Sequence, residues 1–167
     1  MNRCIGRAKI SPAYRQGIES GELTHMPTLE RALQIAVTAH AGQKDKAGGA
    51  YIFHPIRVMS RCRTPDAMIV GLLHDVVEDT SVTFEELEAE GFSPSVLDAL
   101  RLLTHDKAVP YGDYIQHVKA NPIATEVKLA DLEDNMDIRR LQEVDEKAAK
   151  RFKKYLLAYR TLTNGRR

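Results

Sequence analysis

The sequence predicts an all-α fold, one compact helical bundle, and three observations carry that expectation. Apolar residues recur at helical spacing along most of the chain. Helix-start dipeptides recur as well, at Thr64-Pro65, Ser93-Pro94 and Asn121-Pro122. No alternating pattern of useful strand length occurs, "AYIF" (50–53) being the only β-like scrap.

Taken in order, "MPTLERALQIAVTAHAGQ" places Leu29, Ala32, Leu33, Ala36 and Val37 on one helical face, with Pro27 and Thr28 at its start. "KDKAGGAYIFHP" breaks the pattern at Gly48 and Gly49, so residues 44–54 read as a loop, and Pro55 opens a short helix to about Cys62. Thr64-Pro65 begins the next helix, which carries a His-Asp pair. Thr83 with Glu86 forms a capping box for a helix that stops at Gly91. Ser93-Pro94 starts a helix through "SVLDALRLL"; residues 105–112 are a loop and "DYIQHVKA" a helix. Asn121-Pro122 starts the helix holding "EVKLADLEDNMD", and a last helix at about 143–162 puts Phe152, Tyr155, Leu156 and Tyr159 on one face.

Length and composition bound the function. A chain of 167 residues is most simply one domain spanning 1–167, with 43% hydrophobic residues for a core and 28% charged residues for the surface. A formal charge of +1 argues against a protein that coats a nucleic-acid polymer. Two cysteines, Cys4 and Cys62, form no disulfide framework and no CxxC clip, which fits a reducing, cytoplasmic setting. No apolar stretch approaches membrane-spanning length, and "MNRCIGRAKI" has no signal-peptide core.

The chemistry concentrates in "LLHDVVEDTS" (72–81). Met68, Ile69, Val70, Leu72, Leu73, Val76 and Val77 read as a helix buried on nearly every side, yet His74-Asp75 interrupts it and Glu78-Asp79 closes it. An unpaired buried carboxylate is costly, so a mutual hydrogen bond, a basic partner or a metal ion must compensate the pair. Helical spacing places Glu78 one turn after His74, and Asp79 one turn after Asp75. In "VKLADLEDN" Asp131 interrupts an apolar run in the same way; pairing with Lys128 explains it as well as a ligand role does. Asn135 lies one turn further on that face. His54, just before Pro55, sits where the chain is held extended, its ring projecting from the end of the following helix. Together His54, His74, Asp75 and Asp131 make a nitrogen and oxygen donor set. That set suits Mn²⁺, Fe²⁺, Co²⁺, Ni²⁺ or Zn²⁺ with open water positions, not a cysteine-rich structural zinc. Blander readings suffice elsewhere: His40 packs near the site, and His25, His105 and His117 are surface or loop residues. The basic face of Lys147, Lys150, Arg151 and Lys154 is chiefly solvated.

"AHAGQ", "AYIFHP", "LLHDVVEDT" and "VKLADLEDN" resemble, in order and spacing over residues 27–140, the HD superfamily of metal-dependent phosphohydrolases. More closely they resemble the hydrolase domain of RelA/SpoT-type alarmone enzymes and their small single-domain relatives. The resemblance implies an HD-domain helical bundle and one metal, usually Mn²⁺, held by His54, His74, Asp75 and Asp131. Glu78 and Asp79 are then implied to position or deprotonate the attacking water. Lys46, Tyr51 and Asn135 match the nucleotide-contacting positions. Asp45 stands where those enzymes place a base-contacting arginine, and Asp137-Ile138 where they read Arg-Thr. The expected substrate is a small phosphorylated nucleotide, with (p)ppGpp cleaved at its 3′-pyrophosphate as the leading specific reading. Alternatives are another phosphate ester such as a nucleoside monophosphate, a non-catalytic metal-containing nucleotide sensor, or a purely structural helical domain.

Overall fold

The computed structural model describes residues 28–45, 48–140 and 143–164. The expectations that rest on Cys4, His25, Pro27 and Lys46 lie outside the described residues. The described residues form helices and a single isolated bridge, Lys44 to Ala50, with no strand.

Local chemistry sets the helix starts. Thr28 accepts from the Arg31 N–H to begin α1 (Leu29–Ala39). Thr64 accepts from Ala67 to begin α3 (Pro65–Leu73), which follows α2 (Phe53–Arg61). After α4 (Val76–Asp79), the Thr83/Glu86 capping box opens α5 (Phe84–Ala89). Beyond it, Gly91 takes the left-handed φ of +86° that a helix stop needs. Ser93 caps α6 (Pro94–Leu103), Asn121 caps α8 (Pro122–Asn135), and α7 (Tyr111–Lys119) lies between them. A 3₁₀ turn (Ile138–Arg140) leads towards α9 (Glu146–Thr163), capped by Asp145.

Helix α3 is the hub. Ala67, Ile69, Val70, Gly71, Leu72 and Leu73 are all buried, as expected for a helix that is apolar all round. It packs against α1, α2, α6 and α8. Gly71 lets α2 come close: a Cβ there would stand 3.1 Å from the Met59 Cα and backbone nitrogen. Nothing among the described helices is long and apolar enough to cross a membrane.

Four local expectations change. Helix α2 begins at Phe53, not Pro55, so His54 lies inside the first turn instead of in extended chain. Pro55 is tolerated there because the first-turn N–H it lacks would have had no helical partner. The His-Asp helix pauses at the pair itself: α3 ends at Leu73, and Asp75, at φ −101° and ψ −3°, is the cap position from which α4 resumes. Helix α7 starts at Tyr111, directly after Pro110 in extended conformation. On α9 the inward stripe is Ala148, Ala158 and Leu162, while Leu156 is exposed, because small alanines let the helix seat closely.

Candidate metal centre

Three helices supply the cluster. His54 comes from the first turn of α2, His74 from the end of α3 and Asp131 from the middle of α8. All three are buried, and their ligand atoms lie within 4.8 Å of one another. Asp75, half-buried at the pause after α3, places Oδ2 3.0 Å from His74 Nε2 and 3.5 Å from His54 Nε2. The four residues named from sequence therefore converge.

Each ring is fixed by its far nitrogen. His54 Nδ1 donates to Asp134 Oδ2 at 2.8 Å, and His74 Nδ1 donates to the Gly71 carbonyl at 2.9 Å. Both Nε2 atoms are thus turned into the cluster. His54 Nε2 lies 3.2 Å from Asp131 Oδ1. His74 Nε2 is buried without a hydrogen-bond partner, its short approach to Asp75 being misaligned. A buried ring nitrogen without a hydrogen-bond partner, beside two carboxylates, is a position a divalent cation would satisfy, and the nitrogen and oxygen donors fit such an ion.

Protons balance the acids in the metal-free cluster. Burial works against charge on His54, but hydrogen bonds to Asp131, Asp134 and Asp75 outweigh it and raise its pKa to about 11. Burial likewise opposes charge on His74, yet Asp75 and Asp131 bring it to about 9. Asp131 is held well below the usual carboxylate range: burial pushes it up, and Lys128 with the two histidines pulls it down further. Lys128 Nζ donates to Asp131 Oδ2 at 2.9 Å, so the ion pair forms through one oxygen while Oδ1 faces the His54 ring.

The cluster floors a cavity of about 440 Å³. Tyr51 lines it, with its hydroxyl committed to Asp75, and Asn135 donates to Asp131 Oδ1. Both residues therefore brace ligands as well as facing the space where a substrate would lie. Glu78 and Asp79 are exposed on the rim; Glu78 Oε2 accepts from the His105 N–H at 3.2 Å. Burial and the Asp75 charge raise the Asp79 pKa.

Other lining residues were not assigned to the site from sequence. His105 lines the cavity and does not stand at the surface alone; its ring lies 4.5 Å from that of Tyr114, and Nε2 meets the Val109 carbonyl at 3.0 Å. Tyr111, Tyr155, Arg151 and Lys154 complete that wall, so part of the basic face of α9 lines the cavity while staying open to water. Asp134 carries the clearest missed signal: it follows Asp131 by three residues, hence shares its buried helix face. Asp45 and Asp137 also line the cavity, but both are engaged. Asp45 Oδ1 accepts from the Gly49 N–H at 2.9 Å, and Arg139 forks onto Asp137 at 2.8 and 2.7 Å.

No family model matches the chain. Over 144 residues, 77% of this chain, it is 33% identical to a GTP pyrophosphokinase of Streptomyces coelicolor, 17% of which is covered. Over 124 residues, 67% of this chain, it is 31% identical to a guanosine-3′,5′-bis(diphosphate) 3′-pyrophosphohydrolase of Aquifex aeolicus, 18% of which is covered. The chain thus spans less than a fifth of the length of these curated relatives. Its fold matches that of a metazoan ortholog of SpoT, described as hydrolysing ppGpp, at a TM-score of 0.65 and 25% identity. That match covers 82% of this chain and 85% of the other.

Proposed function

We infer that this HD-type, RelA/SpoT hydrolase-like domain is a divalent-metal-dependent phosphohydrolase that removes pyrophosphate from the 3′ position of (p)ppGpp. The observation that carries the inference is the buried His54, His74 and Asp131 cluster, with the orphaned His74 Nε2, at the floor of an open polar cavity. In the proposed roles His54, His74, Asp75 and Asp131 hold the cation; the imidazole and carboxylate donors suit Mn²⁺, Fe²⁺, Co²⁺, Ni²⁺ or Zn²⁺, and the resemblance to RelA/SpoT-type hydrolases favours Mn²⁺. When bound, such an ion supplies Lewis acidity at a phosphoryl oxygen and lowers the pKa of a water. Glu78, with Asp79, takes or orients the proton of the attacking water. Tyr51 and Asn135 hold Asp75 and Asp131 in place while facing the substrate. Arg151 and Lys154 set positive charge across the cavity from the acids, where further phosphates of the substrate would lie. Attack on the phosphorus bonded to the 3′ oxygen breaks that P–O bond, and GDP and pyrophosphate leave. The free, buried thiol of Cys62 supports a cytoplasmic setting.

A second reading, hydrolysis of a different phosphate ester such as a nucleoside monophosphate, draws on the acids Asp45 and Asp137 in the cavity wall. One experiment separates the two: purified protein with Mn²⁺ is offered ppGpp and a nucleotide panel, and pyrophosphate and phosphate are assayed. Pyrophosphate and GDP from ppGpp are expected. Phosphate from another nucleotide with ppGpp untouched would establish the second reading, and no turnover of any nucleotide would leave a metal-containing sensor.

A further inference from the structure

Directly behind His54 sits a second charged cluster that takes no part in the proposed chemistry. Asp134 is 1% exposed, yet its carboxylate serves several donors at once. Oδ2 accepts from His54 Nδ1 at 2.8 Å and from an Arg57 terminal nitrogen at 2.9 Å. Oδ1 accepts from Arg57 Nε at 2.6 Å and from Arg61 at 3.1 Å. The two arginines lie one turn apart on α2, the helix that carries His54, and Asp134 lies one turn from Asp131 on α8. This cluster therefore ties together two of the three helices that supply the candidate metal site.

We propose that Asp134, locked by the Arg57 fork, is the positioning residue that aims His54 Nε2 into the metal site, and that Arg57 acts on the site only through it. The inference rests on the metal-site reading above. A carboxylate behind a metal-binding imidazole keeps the proton on the far nitrogen, fixes ring orientation and strengthens the near nitrogen as a donor. An unconstrained carboxylate could rotate and lose that alignment; a bidentate guanidinium fixes its plane. Arg61 makes one bond, at 3.1 Å, where Arg57 grips both carboxylate oxygens at 2.6 and 2.9 Å, so Arg61 contributes less to fixing the plane.

Two readouts test this on the full chain. The first is the affinity for Mn²⁺ and Zn²⁺, measured by chelator competition well below the melting temperature, with each melting curve recorded beside it. Asp134→Asn keeps size and one acceptor oxygen but removes the charge, and affinity should fall about 10- to 100-fold. Arg57→Gln should weaken it less, and Arg61→Gln should leave it within about twofold. The second readout needs no metal: the His54 Nδ1 proton in histidine-labelled wild type should resonate at low field and exchange slowly, and move upfield in Asp134→Asn. Arg57→Gln sits at a partly exposed position and keeps the test decisive if Asp134→Asn does not fold. Lower melting temperatures with unchanged metal affinity and an unchanged His54 proton would overturn the proposal, because a merely structural cluster behaves that way. Wild type that binds neither metal would sink the metal-site reading, while the His54 proton would still decide whether Asp134 positions the ring.

Discussion

At the scale of single residues, each polar group around the cluster answers to a specific partner, and that makes substitutions directional. His74→Ala and Asp75→Ala each remove one donor from a set whose other members still converge on the same point. Each is expected to abolish tight metal binding and to lower thermal stability, as read by elemental analysis and melting curves. A full metal complement in either variant would refute the ligand assignment. Glu78→Gln keeps shape and the bond from the His105 N–H but loses basicity. Metal content should persist while kcat drops about 10²- to 10⁴-fold; near-normal turnover would move the base to Asp79. Asp45 has two jobs that the sequence alone does not separate, since it caps its own loop and contributes negative charge to the cavity. Asp45→Asn preserves an acceptor for Gly49 and removes only the charge. It should raise kcat/KM for ppGpp about two- to fivefold, mainly through KM. The gain should shrink as salt is added, and a gain insensitive to salt would argue against an electrostatic origin.

Among the helices, the decisive event is the close approach of α2 to α3 over Gly71, whose carbonyl also fixes the His74 ring. One glycine thus determines how near His54 comes to His74. Gly71→Ala must displace backbone, not a flexible side-chain tip, so a loss of about 1–3 kcal/mol is expected from overpacking. Metal affinity should fall with it as the two imidazoles separate. Denaturant titration beside metal titration checks both, and an unchanged midpoint would mean that α2 yields without cost. The helices themselves were largely legible in the chain. Thr64-Pro65, Thr83 with Glu86, Ser93-Pro94 and Asn121-Pro122 start helices where their side chains can accept the first free N–H groups. The start of α2 was not legible, because a proline early in a helix and a proline opening one look alike in sequence. Nor was the pause at Asp75, since a buried run with helical spacing carries no mark of where one helix ends and the next resumes.

For the whole molecule, the proposed metal site is a junction of α2, α3 and α8, so a cation held there would link occupancy to global stability. At a metal concentration a hundredfold above Kd, a ligand of the native state adds about 2.7 kcal/mol. For a domain of this size that corresponds to roughly 5–10 °C in Tm, reversed by a chelator. The pH dependence follows from the histidines. Their folded pKa values, about 11 for His54 and about 9 for His74, stand above the ordinary 6.5. In the metal-free protein their stabilising contribution is therefore complete below pH 6.5 and is lost as pH rises through about 9 and then about 11. Metal binding must displace those protons, so affinity should increase with pH over the same range. Calorimetry in buffers of different ionisation enthalpy should record proton release; binding without it would mean the histidines are already neutral.

By itself the sequence determined the all-α class, the helix starts at Thr64-Pro65, Thr83, Ser93-Pro94 and Asn121-Pro122, and the conspicuous polar residues His54, His74, Asp75 and Asp131. Those features are local: caps act within one turn, and an ionisable residue inside an apolar run is conspicuous wherever the run packs. The tertiary structure decided what depends on which surfaces meet. It assigned one Asp131 oxygen to Lys128 and turned the other towards the histidines. It set Asp134 behind His54 with two arginines from α2, and it turned Arg151, Lys154, His105 and the tyrosines of α7 and α9 onto the cavity. Helical spacing says which residues share a face, but only the packing of α7, α8 and α9 around the hub says which of those faces meets the site and which meets water.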